Sequence, residues 1–285
     1  FVACLRMPAS KSLLAAAIAV VLVPDAAAFL APSAGLMRSG VSARSTCVAG
    51  RAPGLRMVVD DKTEVREYFN TEGFNRWNKI YSDSDEVNVV QMQIRNNHQI
   101  TVDKVLKWVD EDGTAAAGTT FCDAGCGVGT LAIPLAGLGA KVRASDISKS
   151  MADEGARRAA SIELKGEVSF ETADLESLEG KYDTVTCIDV LIHYPTEKMD
   201  EMVGHLCNVA DDRFIISFAP YTWFYQALKN LGSMAPGPSK ATRAYLHAEA
   251  DVVAALEKRG FKVARDEMTA GNFYYSRLLE AKRIK

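Results

Sequence analysis

The 285-residue sequence predicts an α/β fold: a doubly wound, mostly parallel seven-stranded sheet with an antiparallel C-terminal strand and an N-terminal helical lid. Three observations predict it. Between residues 119 and 219, five short apolar runs alternate with amphipathic stretches, the texture of repeated strand–helix units. The first run leads into a glycine-rich loop, DAGCGVG (123–129), and then a helix-like segment. Sheets of this kind hold ligands outside the carboxyl ends of their strands, at such a loop. Beyond residue 260 come two β-rich runs joined by Ala-Gly, a hairpin that reverses the last strand.

The elements follow in order. TTFCD (119–123), KVRAS (141–145), EVSFETA (167–173), YDTVTCID (182–189) and RFIISFA (213–219) are the parallel strands. TLAIPLAGLG (130–139), SKSMADEGARRAASIEL (148–164) and TEKMDEMVGHLCNVA (196–210) are the helices between them. FKVARDEMT (261–269) and NFYYSRLLEAK (272–282) complete the sheet. Ahead of it, residues 60–81 carry Val65, Tyr68, Phe69, Trp77, Ile80 and Tyr81 among charges, and residues 86–111 repeat apolar side chains at helical spacing. The expected organisation is a helical arm over 60–112 and a sheet domain over 113–285, with an insertion around 220–247.

Charge divides the chain. Residues 1–59 contain six basic side chains and one acid, Asp25, which leaves an acidic body with a poor surface for nucleic acid. The run LLAAAIAVVLV (13–23) is short for a membrane span, which needs about 20 residues. It fits a signal-peptide core followed by small residues. Residues 33–57 are rich in Ser, Ala and Arg and free of acids, like a transit peptide. The two together resemble the bipartite presequence of proteins imported into complex plastids; a secretory signal with a linker is the plainer alternative. Residues 1–59 are therefore expected to be a disordered presequence. Cys122 and Cys187 sit in strand-like runs as buried thiols, and no cysteine has metal-site spacing. No metal site is expected.

The loop carries the chemistry. Gly125, Gly127 and Gly129 let the backbone approach a ligand closely, with Cys126 between them. The spacing departs from the dinucleotide fingerprint, because Thr130 stands where a third Gly or Ala is needed. Asp123 precedes the loop. Asp146, followed by Ile147, ends the second strand, where a carboxylate can accept two ribose hydroxyls. Asp174, followed by Leu175, comes after the third strand, where it can accept from an adenine amino group. Any one of these acids can equally be a helix cap; three in register behind three strands are harder to explain so.

DAGCGVG, ASDIS (144–148) and ADLESL (173–178) resemble the class I S-adenosylmethionine-dependent methyltransferases. Together with VREYFNTEGFNRWNKIY, CIDVLIHYP, FAPYT, PGPSKATRAYLH and FYYSRLLEA, they resemble the magnesium protoporphyrin IX O-methyltransferase family across residues 60–282. The resemblance implies methyl transfer from S-adenosylmethionine to a propionate of magnesium protoporphyrin IX, in a plastid. It implies Tyr81 and His193 at the reacting centre and Asp189 near the methionine end of the cofactor. It also implies the porphyrin-binding subunit of magnesium chelatase as a partner and peripheral contact with plastid membranes.

Each residue has a plainer alternative. His193 can be a satisfied core histidine, Tyr81 an aromatic anchor, and Lys240 and Arg243 solvated charges rather than propionate partners. Phe218, Tyr221, Trp223, Phe224 and Tyr225 can line a macrocycle pocket or simply be core. Two other functions also stay open: methylation of a quinone or phenol, and a non-catalytic porphyrin-binding protein of the same fold. The presequence expectation has its own check. Mass spectrometry of the native protein should find residues 1 to about 57 removed; an intact N-terminus would contradict it.

Overall fold

The computed structural model describes residues 61–82, 87–221, 245–271 and 274–285. These belong to one unit spanning Val59–Met234 and Lys240–Lys285. The expected presequence of residues 1–59, most of the expected 220–247 insertion, Lys240 and Arg243 lie outside the described residues.

Seven strands form one sheet: β1 (Thr120–Ala124), β2 (Lys141–Asp146), β3 (Glu167–Thr172), β4 (Tyr182–Cys187), β5 (Ala210–Phe218), β6 (Phe261–Ala270) and β7 (Tyr275–Arg283). Their order is β3-β2-β1-β4-β5-β7-β6. β1 to β5 pair in parallel, and β7 lies antiparallel between β5 and β6. The order reverses at β1, whose neighbours are β2 and β4. That is the switch point where a crevice opens.

Alternation along the strands divides the core in two. Phe121, Val142, Ala144, Ile215 and Leu278 face one side. There they pack against Val102, Val105, Trp108 and Val109 of α3 (Val89–Glu111) and against Leu131, Leu135 and Ala136 in and beside α4 (Ala132–Leu138). Cys122, Val185, Cys187, Phe214 and Phe218 face the other side, against α6 (Thr196–Val209) and α7 (Glu249–Glu257). The helix α5 (Lys149–Ala159) covers β2 and β3, burying Met151, Ala152 and Gly155.

The structure refines several expectations. The segment 60–81 forms two helices, α1 (Asp61–Asn70) and α2 (Glu72–Ile80). The Thr71 hydroxyl donates back to the Glu67 carbonyl at 2.7 Å, a competing bond that helps end α1. Gly73 then lets the Tyr68 ring lie against the backbone, 2.6 Å from where a Cβ would stand. The helix expected over 148–164 ends at Ala159, β5 starts earlier than expected at Ala210, and α7 was not anticipated. Phe218 is fully buried core rather than pocket wall, while Tyr221 is largely exposed. Trp223, Phe224 and Tyr225 are outside the described residues.

A buried ion pair joins the parallel half of the sheet to the hairpin. Arg213 on β5 and Glu280 on β7 have side chains 2% and 0% exposed and contact each other directly. Arg213 also donates to the Thr114 hydroxyl at 2.8 Å, and Arg265 reaches Glu280 from β6. Breaking such a pair leaves an uncompensated buried charge, at a cost of about 3–5 kcal/mol. Glu280→Ala should therefore lose stability of that order in urea denaturation; a loss below about 1 kcal/mol would show that the pair does not hold the seam.

Candidate functional site

A cavity of about 570 Å³ opens at the carboxyl ends of β1, β2 and β4, beneath the helical arm. Its floor is the glycine loop. The Gly125 and Cys126 amides both donate to the Ser145 carbonyl, at 2.8 and 2.9 Å, which ties the loop to β2. Gly125 has φ +81° and its missing Cβ would collide with Val190 at 2.3 Å, so no other residue fits. Gly127, at φ +53°, has nothing within 4 Å of its missing Cβ, which leaves open space over the backbone there.

Two carboxylates border that space. Asp146 accepts from the Gly127 amide at 2.9 Å and the Ser148 amide at 2.8 Å. Asp123 accepts from the Thr186 hydroxyl at 2.7 Å through Oδ1. Its Oδ2 is buried and makes no hydrogen bond among the described residues. Burial pushes both groups up to about 6, only partly offset by the Thr186 bond at Asp123 and by the two amides at Asp146.

The third carboxylate, Asp189, is a hub. It holds φ +60°, an uncommon conformation for a residue with a side chain. Ser217 and Ser276 donate to its Oδ1 at 2.8 and 2.9 Å. Tyr274 donates to its Oδ2 at 2.5 Å, and His98 Nδ1 reaches the same oxygen at 2.9 Å. Burial would raise its pKa, but the hydrogen bonds from His98, Tyr274 and Ser217, with the His98 charge interaction, bring it below the ordinary carboxylate value. The far nitrogen of His98 contacts the Thr130 hydroxyl at 3.1 Å, so the Asp189 hub reaches the glycine loop.

Tyr81 caps α2, stacks on Trp77 with centroids 5.6 Å apart, and sits 4.9 Å from the His98 ring. Burial, then the charge of Asp189, raises its pKa far above neutrality, so the phenol keeps its proton. His193 ends a short 3-10 turn, Leu191–His193. Burial lowers its pKa to about 4 despite the opposing pull of Asp189, so the imidazole is neutral near pH 7. Its ring meets the Phe69 ring edge-on at 5.1 Å. The turn is fixed from the far side: the Tyr245 amide donates to the Ile192 carbonyl at 2.8 Å and His247 Nε2 to the Leu191 carbonyl at 2.9 Å.

The described site residues expected from sequence all line this cavity except Asp174. Asp174 accepts from the Glu176 amide at 3.1 Å, as the capping alternative has it, and pairs with Lys62 of α1 at 3.2 Å. Its neighbour Leu175 does line the cavity. Sequence reasoning missed His98, Thr130, Tyr274 and Arg76. His98 and Asp189 are 91 positions apart, and no local pattern marks a contact that only the fold creates.

These groups fit a nucleoside that carries a cationic amino acid. Asp123 Oδ2 is an unused acceptor for an ammonium, Asp146 suits ribose hydroxyls, and the space over Gly127 admits the ligand against the backbone.

Comparison with known proteins agrees. Residues 187–283 match the magnesium-protoporphyrin IX methyltransferase C-terminus family, and residues 121–212 match a methyltransferase domain family. The chain is 55% identical over 222 residues to the chloroplastic magnesium protoporphyrin IX methyltransferase of Arabidopsis thaliana, covering 78% of this chain and 71% of that one. It is 54% identical over 226 residues to the magnesium-protoporphyrin O-methyltransferase of Synechocystis, covering 79% of this chain and 97% of that one. The crystal structure of the Synechocystis PCC 6803 enzyme with bound S-adenosylhomocysteine superposes with a TM-score of 0.73 at 52% identity, over 78% of this chain and 99% of that one.

The unused Asp123 oxygen has a consequence for stability. In the folded, ligand-free chain the group keeps its proton up to about pH 6, against an ordinary value of 3.8. Its stabilising contribution is therefore complete below the lower value and lost as pH rises through the upper one. At pH 7.5 the buried charge costs about 3 kcal/mol. Asp123→Asn keeps the Thr186 bond and removes the charge, so it should be more stable than the parent to urea at pH 7.5, by a margin that narrows toward pH 5. A variant less stable at pH 7.5, or a margin that ignores pH, would contradict the assignment.

Proposed function

The chain belongs to the magnesium protoporphyrin IX methyltransferase family, and from that membership we propose how its cavity carries out the reaction. It transfers a methyl group from S-adenosylmethionine to a propionate carboxylate of magnesium protoporphyrin IX, giving the methyl ester. When bound, S-adenosylmethionine supplies the methyl group on a sulfonium cation, and transfer to a carboxylate consumes one positive and one negative charge, a change that a dry cavity favours. Asp123 receives the ammonium of the cofactor, Asp146 its ribose hydroxyls, Gly127 gives it room against the backbone, and Gly125, packed on Val190, sets the turn of the loop beneath it. Leu175 and Ile147 flank the base, with Asp174 beyond Leu175. Lys240 and Arg243 are proposed to reach a propionate from the insertion.

A propionate is already ionised near neutral pH. The work left to the protein is orientation. The observation that carries this reading is the pairing of a phenol that keeps its proton with a neutral imidazole, both lining the cavity that holds the glycine loop. Tyr81 donates a hydrogen bond to the substrate carboxylate. His193 donates a second through its ring N–H and does not act as a base, because its pKa of about 4 makes it a weak one. Asp189 holds the arm helix α3 to the floor through His98, which keeps Tyr81 over the reacting centre.

The setting is a plastid, reached through the presequence of residues 1–59. Peripheral membrane contact and delivery of the porphyrin by the magnesium chelatase subunit belong to the same proposal.

His193→Ala should lower kcat by about tenfold to several hundredfold, the worth of one positioned donor in a dry site. Isothermal titration should show S-adenosylhomocysteine affinity little changed. Tyr81→Phe should behave alike, and the double variant should lose less than the product of the two, as expected for groups that hold one carboxylate. Since His193 stays neutral above about pH 5, kcat should be flat between pH 6.5 and 8.5 as far as this residue controls it. A fully active but strongly destabilised His193→Ala protein would reduce the residue to core packing.

A further inference from the structure

Among the described residues, Arg76 is a cation with no ion-pair partner. It lies on α2, and its side chain lines the cavity. Its Nε is buried and makes no hydrogen bond, and no ion pair to its guanidinium is formed among the described residues. The adjacent Trp77, also on the cavity wall, buries an indole N–H in the same condition. Unsatisfied buried donors are rare because each forfeits its hydration without a return. Two in succession on one helix point to an acceptor that arrives from outside the chain.

Charge defines the acceptor. Among the described lining residues, Asp123, Asp146 and Asp189 bring three carboxylates, and Arg76 is the one Lys or Arg side chain. A guanidinium stays protonated and grips a carboxylate through two parallel bonds. Three carboxylates enter the site by the proposed function: the α-carboxylate of the cofactor and the two propionates of the porphyrin. The groups assigned to the cofactor come from the sheet side, at β1 and β2. Arg76 and Trp77 come from the arm, beside Tyr68 and Tyr81, where aromatic faces suit a flat macrocycle.

The reaction also distinguishes between the two propionates. A guanidinium clamped on the attacking oxygens would draw electron density from them and occupy their lone pairs. A propionate that only needs to be held has no such conflict. We propose that Arg76, helped by the Trp77 indole N–H, binds the propionate of magnesium protoporphyrin that is not methylated. It thereby anchors the macrocycle while Tyr81 and His193 orient the other propionate. This rests on the proposed function and adds a substrate-binding subsite on the arm.

An anchor gripped equally before and during reaction changes KM and leaves kcat alone. The test uses the full chain with magnesium protoporphyrin as varied substrate, in the parent, Arg76→Gln and Arg76→Lys. Arg76→Gln should raise KM about tenfold to a hundredfold, the loss of charge-assisted hydrogen bonds, with kcat within about threefold. Arg76→Lys should recover part of the loss. Isothermal titration with S-adenosylhomocysteine should give the parent affinity in both variants, and their thermal unfolding should match or exceed the parent's, because Arg76 makes no side-chain bond among the described residues. An unchanged KM overturns the proposal. So does weakened S-adenosylhomocysteine binding with porphyrin KM intact, which would assign Arg76 to the cofactor, and so does a fall in kcat alone, which would put it on the reacting carboxylate. A parent chain that does not methylate magnesium protoporphyrin overturns the functional reading and this proposal together, whereas an active parent with unaffected variants overturns this one alone.

Discussion

The carboxylate of Asp189 is the interaction on which the site depends. Four side chains from three parts of the chain converge on it: His98 from the arm, Ser217 from β5, and Tyr274 and Ser276 from the final hairpin. The residue takes a left-handed backbone conformation to reach them, and its own amide donates to the Ser217 hydroxyl at 2.8 Å. Strain of that kind persists where the surroundings over-determine it, often at functional sites. A fully coordinated, half-buried anion is also what fixes His98, and His98 in turn meets both Thr130 beside the glycine loop and the ring of Tyr81.

The contrast with the other two carboxylates separates structure from binding. Asp189 has all its acceptor positions used and its pKa lowered. Asp123, buried, and Asp146, half-buried, have fewer partners and have their pKa values raised. A buried ionised group that is under-satisfied is unfavourable to the free protein and favourable to a complementary ligand. The same logic applies with opposite sign to Arg76 and Trp77 on the arm. The cavity thus has an unsatisfied acceptor on its floor and unsatisfied donors on its roof. A zwitterionic cofactor below and a dicarboxylate above would satisfy both.

The sheet was legible because its signals are local. Five apolar runs, a Gly-x-Gly-x-Gly loop and an Ala-Gly hairpin are each readable within about ten residues, and each falls where the strands and loop lie. The glycine loop and the strand-end acids Asp123 and Asp146 were legible for the same reason. Asp174 shows the limit of that reasoning. Its position after β3 matched a cofactor acid, yet its carboxylate caps the following turn and pairs with Lys62 outside the cavity lining. His98 and Arg76 were illegible because their meaning lies in long-range contacts, or in the lack of them. The break at Thr71 and the helix Glu249–Glu257 were missed because side-chain-to-backbone bonds and tertiary burial outweigh periodicity in short segments.

The most direct measurement is methyl transfer to magnesium protoporphyrin by Asp189→Asn, read together with thermal unfolding of the same sample. Asparagine has the same shape but turns one acceptor oxygen into a donor, which must then face donors already there. The account predicts a lower Tm and a loss of activity of about a hundredfold or more, because His98 and then Tyr81 lose their anchor. Parent-like activity at an unchanged Tm would contradict it, since the site would then stand without the anion at its centre.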